Sequence, residues 1–375
     1  MTHHADAPID DFRIIIPAGG VGTRLWPVSR AGSPKFLHDF TGSGRSLLQA
    51  TWDRVEPLVR PDGVMVVTGV RHESAVRAQL PGLSTAALVA EPSPRDSMAA
   101  IGLAAAILAN RDGDIIVGSF AADHVIRDAA LFRQVVREAV EVARAGYLTT
   151  VGIAAGYPST GFGYIHGGDS LGMPNAPTAV RVQAFTEKPD AATAQAYLAT
   201  GEYRWNAGMF VVRAEVLLGH LEDQRPALHA ALRSLAAVWD TPQRERALAE
   251  TWPNLERVAI DHAIAEPVAA SGGVAMVLGD FGWDDIGDFG SLAALLPAAE
   301  HDGGRVLGDH GSVIRIGATN AVVVPGSNRQ VVILGLDDVV VVDTPDAVLV
   351  TTRDRVQDVK DVVAALRERG RGDLL

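Results

Sequence analysis

Short β-branched runs alternate with helical spacing through the first 150 residues, which predicts an α/β fold. The expected architecture is a Rossmann-like, mostly parallel mixed sheet with helices on both faces, then a small β-rich C-terminal domain ending in a helix. Two further observations support it. The texture changes beyond about residue 296 to close-set strands. A chain of 375 residues with 47% hydrophobic and 21% charged residues is long enough for more than one core and too apolar for a disordered polymer.

In chain order, strands are expected at residues 13–16, 63–68, 86–90, 114–118 and 148–153, each bounded by glycine or turn chemistry. Residues 131–145 carry Leu131, Val135, Val136, Ala139, Val140 and Val142 on one face of a helix. Such alternation implies right-handed crossovers and a parallel sheet. Residues 98–109 are apolar all round and alanine-rich, and fall well short of the ~20 residues that span a bilayer, so they read as a buried helix and no membrane partner is expected. Between residues 157 and 289 the order loosens to strands at 180–185 and 208–212 and helical stretches at 217–221 and 243–248, as if a segment were inserted into the same sheet. The close-set strands follow at 312–316, 321–324, 330–334, 339–342 and 347–350, then a helix at 355–369, with no strict repeat. Pro297 and Gly303-Gly304 mark a boundary. The expected division is a disordered leader at 1–11, a main domain at 12–296 and a C-terminal domain at 303–375.

With 33 basic against 45 acidic residues the net charge is −12, which gives no sequence-independent grip on a nucleic acid, so no nucleic acid partner is expected. The chain has no cysteine, which excludes disulfides, thiolate metal sites and a cysteine nucleophile, and fits a cytoplasmic address. The acidic start, with Asp6, Asp10 and Asp11, has neither the basic end nor the apolar core of a secretory signal.

The strongest local signal is Ile14-Ile15-Ile16-Pro17-Ala18-Gly19-Gly20-Val21-Gly22-Thr23-Arg24-Leu25-Trp26-Pro27, followed by Pro34-Lys35. A buried strand runs into a loop with three glycines, where backbone N–H groups can approach phosphate oxygens closely. The spacing is neither the dinucleotide fingerprint nor a Walker A loop. By itself the glycine cluster reads equally as a tight turn. Lysine usage tips the balance: the chain has three lysines, Lys35, Lys188 and Lys360, so one kept beside a glycine loop points to point-charge chemistry. Lys188 follows a strand in Thr186-Glu187-Lys188-Pro189, where α/β proteins place ligands.

Asp123 in Ala122-Asp123-His124 and Asp285 in Trp283-Asp284-Asp285-Ile286-Gly287-Asp288 suit Mg²⁺, which keeps several waters and shares substrate phosphates. The competing roles are a helix cap for Asp123 and an exposed acidic turn for the second group. Histidine spacing supports no zinc site, and no hydrolase elbow is expected. Glu91-Pro92-Ser93-Pro94-Arg95-Asp96-Ser97 opens the apolar helix and could read a base edge, although Asp96 or Ser97 could equally cap that helix. Gly161-Phe162-Gly163-Tyr164 and Trp205-Asn206-Ala207-Gly208 would suit sugar hydroxyls, or be ordinary turns.

Taken in this order, the segments resemble the sugar-phosphate nucleotidyltransferases, and within them the branch that uses mannose 1-phosphate and GTP. The resemblance spans about residues 12–290, and Val341-Val342-Asp343-Thr344-Pro345 looks like the short β domain of these enzymes. It implies the nucleotidyltransferase fold and an in-line attack of the sugar phosphate on the α-phosphorus of GTP, giving GDP-mannose and pyrophosphate. It also implies that Gly19, Gly20, Gly22, Thr23, Glu91, Arg95 and Asp123 hold the nucleotide. Arg24 and Lys35 would meet its phosphates, and Lys188 the sugar phosphate. Gly163, Tyr164, Glu187 and Asn206 would line the sugar, with Mg²⁺ on Asp123 and Asp285.

Two departures stand out. Lys35 is followed by Phe36 where the family usually has glutamine, and the usual Arg-Asn-Thr appears as Arg95-Asp96-Ser97, which bears on guanine selection. The alternatives are the same chemistry with another nucleotide and sugar pair, such as glucose 1-phosphate, or an inactive regulatory homologue. A homo-oligomer, as a dimer, is expected from the apolar density of the C-terminal strands, which a monomeric core would show equally.

Overall fold

The computed structural model describes residues 7–375. Residues 7–11, expected in a disordered leader, are tied down instead. Ile9 donates its N–H to the Leu58 carbonyl, Asp10 pairs with Arg60 and Asp11 with Arg144. The rest of that stretch, residues 1–6, lies outside the described residues.

The isoleucine run sets the centre of the main sheet. β1 (Phe12–Ala18) is buried on both faces, as a strand between parallel neighbours must be. β2 (Val64–Gly69), β3 (Leu88–Glu91) and β4 (Ile116–Ser119) join it in parallel, with Ile14 opposite Val64 and Phe12 opposite Ile116. The parallel pairing expected of this first part is present. β5 (Val125–Ile126) then leaves the sheet, and β6 (Leu148–Ala154), β7 (Tyr164–Ser170), β8 (Val180–Thr186), β9 (Tyr203–Arg213) and β10 (Val274–Gly279) complete it before β11 (Trp283–Asp284).

The strand order is β3-β2-β1-β4-β9-β6-β10-β8-β7, and β7 pairs again with β9, so five strands close on themselves. The mostly parallel sheet expected from sequence needs correction. β9 runs antiparallel to β4, β6 and β7, and β8 runs antiparallel to β7 and β10. Hydrophobic runs mark strands without encoding their direction, and the irregular middle segment supplies the antiparallel ones. β9 is the inserted piece, wedged between β4 and β6, and its 11 residues absorb Trp205-Asn206-Ala207-Gly208, which read as a turn candidate.

Apolar layers cover both faces. The alanine-rich stretch lies in the Asp96–Asp112 helix, where every residue from Met98 to Ala109 is buried. Leu221 and Leu232 from the helices Ala214–Gln224 and Pro226–Ala237 close over it, which explains why it shows no polar face.

The C-terminal strands form a parallel coil rather than a meander. β12 (Arg305–Val306), β14 (Val322–Pro325) and β16 (Val339–Asp343) stack in parallel, as do β13 (Val313–Ile316) and β15 (Val331–Leu334), and β17 (Val348–Thr352) adds antiparallel to β16. Arg305 lies opposite Val322, and Val322 opposite Val340, so each coil takes 17 or 18 residues. That repeat is invisible as a strict motif because only inward apolar positions recur. The expected final helix is divided into a 3-10 turn, Arg353–Asp358, and the helix Val359–Glu368. Val356, Val359 and Val363 pack with Val340 and Val342 onto Leu25, Trp26, Ile286 and Phe289, so the coil shares a core with the glycine-loop segment.

Candidate active site

The loop after β1 opens a cavity of about 610 Å³ lined by Gly19, Gly20, Glu91, Arg95, Asp96 and Asp123, among others. A Cβ at Gly19 or Gly20 would meet nothing within 4 Å, so these glycines leave room in the cavity rather than in the core. Gly22 is glycine for a different reason. Its φ is +73°, and a Cβ there would lie 2.8 Å from Lys35 Cβ. Thr23 is exposed at the start of the short Thr23–Leu25 turn, and Arg24 follows half-buried.

Lys35 is buried, and its Nζ donates to Asp123 Oδ2 at 2.8 Å and to the Asp285 carbonyl. The two carboxylate segments meet because β5 and β11 pair, setting Val125 opposite Asp284 and Ile126 opposite Trp283. Burial pushes both carboxyls up. For Asp123 the neighbouring Lys35 and His124 outweigh it and hold the group below the ordinary range, whereas Asp285 stays above it, with Asp123 adding repulsion. Asp284 spends one oxygen on the Ile286 N–H at 2.7 Å, and burial raises it to about 6. Asp288 is buried and caps the Phe289–Leu295 helix, so the acidic-turn reading fails for it. Among the described residues no cluster of three or more metal-ligating side chains exists.

Glu91 lies at the end of β3 with Oε1 buried and without a partner, and burial raises its carboxyl to about 7. Arg95 is tied to the carbonyls of Trp252 and Pro253. Asp96 has φ +58°, a conformation that aspartate and asparagine tolerate better than other residues, which explains how one replaces the other there. Neither residue caps the helix: it has no side-chain cap, and Ser97 Oγ accepts instead from the Ile260 N–H at 2.9 Å.

A second group gathers around Glu187. A Cβ at Gly163 would lie 2.4 Å from Glu187 Oε2, so this glycine makes way for the carboxylate. The Glu187 carboxylate pairs with Lys188 Nζ at 2.8 Å, and Lys188, with φ +47°, projects its side chain into solvent. Asn206 is locked: Oδ1 accepts from Thr150 Oγ1 at 2.9 Å and from the Gly208 N–H at 3.1 Å, and Nδ2 donates to Asp261 Oδ1 at 2.7 Å. Tyr164, expected at the sugar phosphate, is instead fully buried beside Tyr197. A chain of ring contacts from His124 through Trp283 and Phe162 to Trp205 and Tyr157 joins the two groups.

Sequence reading missed Asp261, a carboxylate that with His262 interrupts an apolar stretch, Ala259-Ile260-Asp261-His262-Ala263, which was its one available signal. Burial, with Glu187 nearby, raises it to about 6. A carboxyl raised on folding stabilises the fold least once it ionises, so stability falls as pH rises from about 4 through 6. Asp261→Asn, which keeps the acceptor for Asn206, is expected to raise the melting temperature at pH 7.5 by the equivalent of roughly 1 kcal/mol and to do nothing at pH 4. Equal Tm shifts at both pH values would refute this. A Gly-x-Ser-x-Gly string, Gly168-Asp169-Ser170-Leu171-Gly172, does occur, against expectation. It sits at the exposed end of β7, not at a strand-to-helix elbow, and Ser170 Oγ accepts from the Gly172 N–H at 3.2 Å.

Comparison with known proteins agrees with this layout. The nucleotidyl transferase family model matches residues 13–301, and the MannoseP isomerase/GMP-like beta-helix domain model matches residues 311–366. The xanthan biosynthesis protein XanB of Xanthomonas campestris pv. campestris is 38% identical over 371 residues, covering 97% of this chain and 75% of that protein. Mannose-1-phosphate guanylyltransferase of Escherichia coli K12 is 38% identical over 363 residues, covering 95% and 74%. A crystal structure from Thermus thermophilus, described as a mannose-1-phosphate geranyltransferase, superposes with a TM-score of 0.83 at 30% identity, covering 95% of this chain and 99% of that one.

Proposed function

This chain belongs to the nucleotidyl transferase family, and from that premise we propose that it makes GDP-mannose and pyrophosphate from GTP and mannose 1-phosphate. The observation that carries the reading is Lys35, whose single ammonium gathers Asp123 and Asp285 at the edge of the glycine-lined cavity. A phosphate oxygen of the sugar phosphate attacks the α-phosphorus, the bond to the β-phosphate oxygen breaks, and pyrophosphate leaves with that electron pair. No covalent enzyme intermediate is required, so the protein supplies positioning and charge. Gly19 and Gly20 let the backbone approach the triphosphate, with Gly22 and Thr23 shaping the loop. Arg24 and Lys35 neutralise the leaving pyrophosphate, and Lys188 reaches the sugar phosphate. Glu187, Gly163, Asn206 and Asp261 shape the sugar end.

Lys35 pairs with one of two neighbouring carboxylates, Asp123, and leaves that of Asp285 unmatched where a polyanion must bind, which fits Mg²⁺ held by Asp123 and Asp285. When bound, it would supply charge neutralisation at the phosphates.

The buried, unpartnered Glu91 carboxylate reads the base, accepting from guanine N1–H and the exocyclic amine, which adenine cannot match. Because Glu91 ionises near pH 7, GTP should bind more tightly as pH rises from 6 to 8. Glu91→Gln should flatten that profile and cut the preference for GTP over ATP by roughly tenfold. A GTP preference and pH profile identical to wild type would remove Glu91 from base recognition.

The activity itself is tested by pyrophosphate release across four NTPs and the 1-phosphates of mannose, glucose and N-acetylglucosamine. Turnover confined to GTP with mannose 1-phosphate is expected. Activity with another pair keeps the chemistry and discards the specificity, and silence throughout discards the enzyme reading.

A homodimer and a cytoplasmic address complete the proposal. Ile314 and Ile316 on β13 and Val332 and Leu334 on β15 expose one apolar face, which a second copy would cover symmetrically. Leu334→Glu is expected to convert a dimer to a monomer in light scattering, and a wild-type monomer would sink this assembly. Among the described residues no helix is long and apolar enough to cross a membrane.

A further inference from the structure

The phosphate-facing arginine is held by the other domain. Arg24 Nη1 donates to Gln357 Oε1 at 2.9 Å, and Gln357 Nε2 donates to Asp288 Oδ2. Asp288 is itself fixed, because its Oδ1 accepts from the N–H groups of Gly290 and Ser291 at 2.6 and 3.0 Å. It stands three residues after Asp285, on the loop whose Asp285 carbonyl accepts from Lys35 Nζ. One glutamine amide therefore spans the two segments that carry the phosphate-binding and metal-binding groups. An amide fits the place: guanidinium is donor-only and an ionised carboxylate acceptor-only, so the bridging group must accept on one side and donate on the other.

We infer that Gln357, supplied by the C-terminal domain, is a positioning residue that aligns Arg24 with the Asp285 loop for nucleotidyl transfer. The inference rests on the activity proposed above. Docking of the two domains does not depend on Gln357. Trp26 Nε1 donates to the Leu374 carbonyl at 2.8 Å, Arg30 grips the Asp346 carboxylate with two bonds of 2.6 Å, and the shared apolar core lies beside them. Gln357 is exposed and adds little to that docking. What it supplies is direction. One of the five guanidinium donors is spent on it, and the others remain for phosphate oxygens.

The test uses the full chain and polarity exchange. Gln357→Glu still accepts from Arg24 but faces Asp288 with a second carboxylate. Adding Asp288→Asn restores a donor on that side while keeping a good helix cap. Gln357→Met removes both bonds. Both single Gln357 variants should lose about tenfold or more in kcat, with KM for mannose 1-phosphate little changed and Tm within a few degrees of wild type. Both should bind GTP several-fold more weakly in titrations without sugar phosphate. The Gln357→Glu/Asp288→Asn pair should recover to within a few-fold of wild type in both readouts. Single variants within twofold of wild type, or a pair no better than Gln357→Glu alone, overturn the inference. Wild-type protein that binds GTP without turning over mannose 1-phosphate would sink the proposed activity instead, and GTP affinities would still judge Gln357. A wild type that does not bind GTP overturns both.

Discussion

Lys35→Ala is expected to lower turnover by about a hundredfold to a thousandfold while the protein stays folded. The size follows from what the ammonium does. It is buried, it neutralises Asp123 at 2.8 Å, and it binds the Asp285 carbonyl, so in the proposed reaction its loss removes positive charge from the leaving group and frees two carboxylates to repel each other. Stability should also carry a signature. Burial pushes the Asp123 carboxyl up, but Lys35 and His124 hold it below the ordinary range. A carboxyl depressed on folding contributes stability above its unfolded pKa and loses that contribution as pH falls through the folded value. The variant should therefore melt lower than wild type at pH 7, and the gap should close on acidification toward pH 3. Circular dichroism melts at the two pH values, beside steady-state turnover, check both parts. Turnover within threefold of wild type would remove Lys35 from the chemistry.

Asp285→Asn should have the second largest effect, a loss of at least about a hundredfold in kcat at millimolar Mg²⁺ together with a higher Mg²⁺ requirement. The substitution keeps the shape of the side chain and removes its charge, while the backbone carbonyl that meets Lys35 stays in place. An unaltered Mg²⁺ titration would shift the metal role elsewhere. Asp284 would be next in line, although one of its oxygens is already committed to the Ile286 N–H. Asp288 is excluded from that succession by its three hydrogen bonds.

The parts of this protein legible from sequence are those whose physics is local. The Ile14-Ile15-Ile16 run, the glycines after it and the apolar stretch from Met98 to Ala109 each announce their environment within a few residues. Asp123 and Asp285 were recognisable as carboxylates near strand ends, but their convergence depends on two-residue strands, β5 and β11, too short to show periodicity. The closure of β7 onto β9 was illegible for a related reason: strand direction is a property of the whole chain path. Tyr164 shows the opposite error, a residue placed at a ligand by its motif and buried at the start of β7 beside Tyr197. Asp261 and Gln357 act across 55 and 333 residues of sequence, on Asn206 and Arg24, and no local pattern connects either pair.

The apolar cluster that joins Leu25 and Trp26 to Val356, Val359 and Val363 also fixes an order of events during synthesis. Trp26 finds its hydrogen-bond partner in the carbonyl of Leu374, 348 residues downstream. Sheet strands such as β1 and β2 can pair as soon as they emerge, but the segment carrying Arg24 has no finished surroundings until the last coil and helix are made. A nascent chain that has not yet reached Leu374 would therefore hold a formed sheet and an unfinished phosphate loop, and the capacity for turnover would arrive in one step, once that segment has folded back onto Trp26.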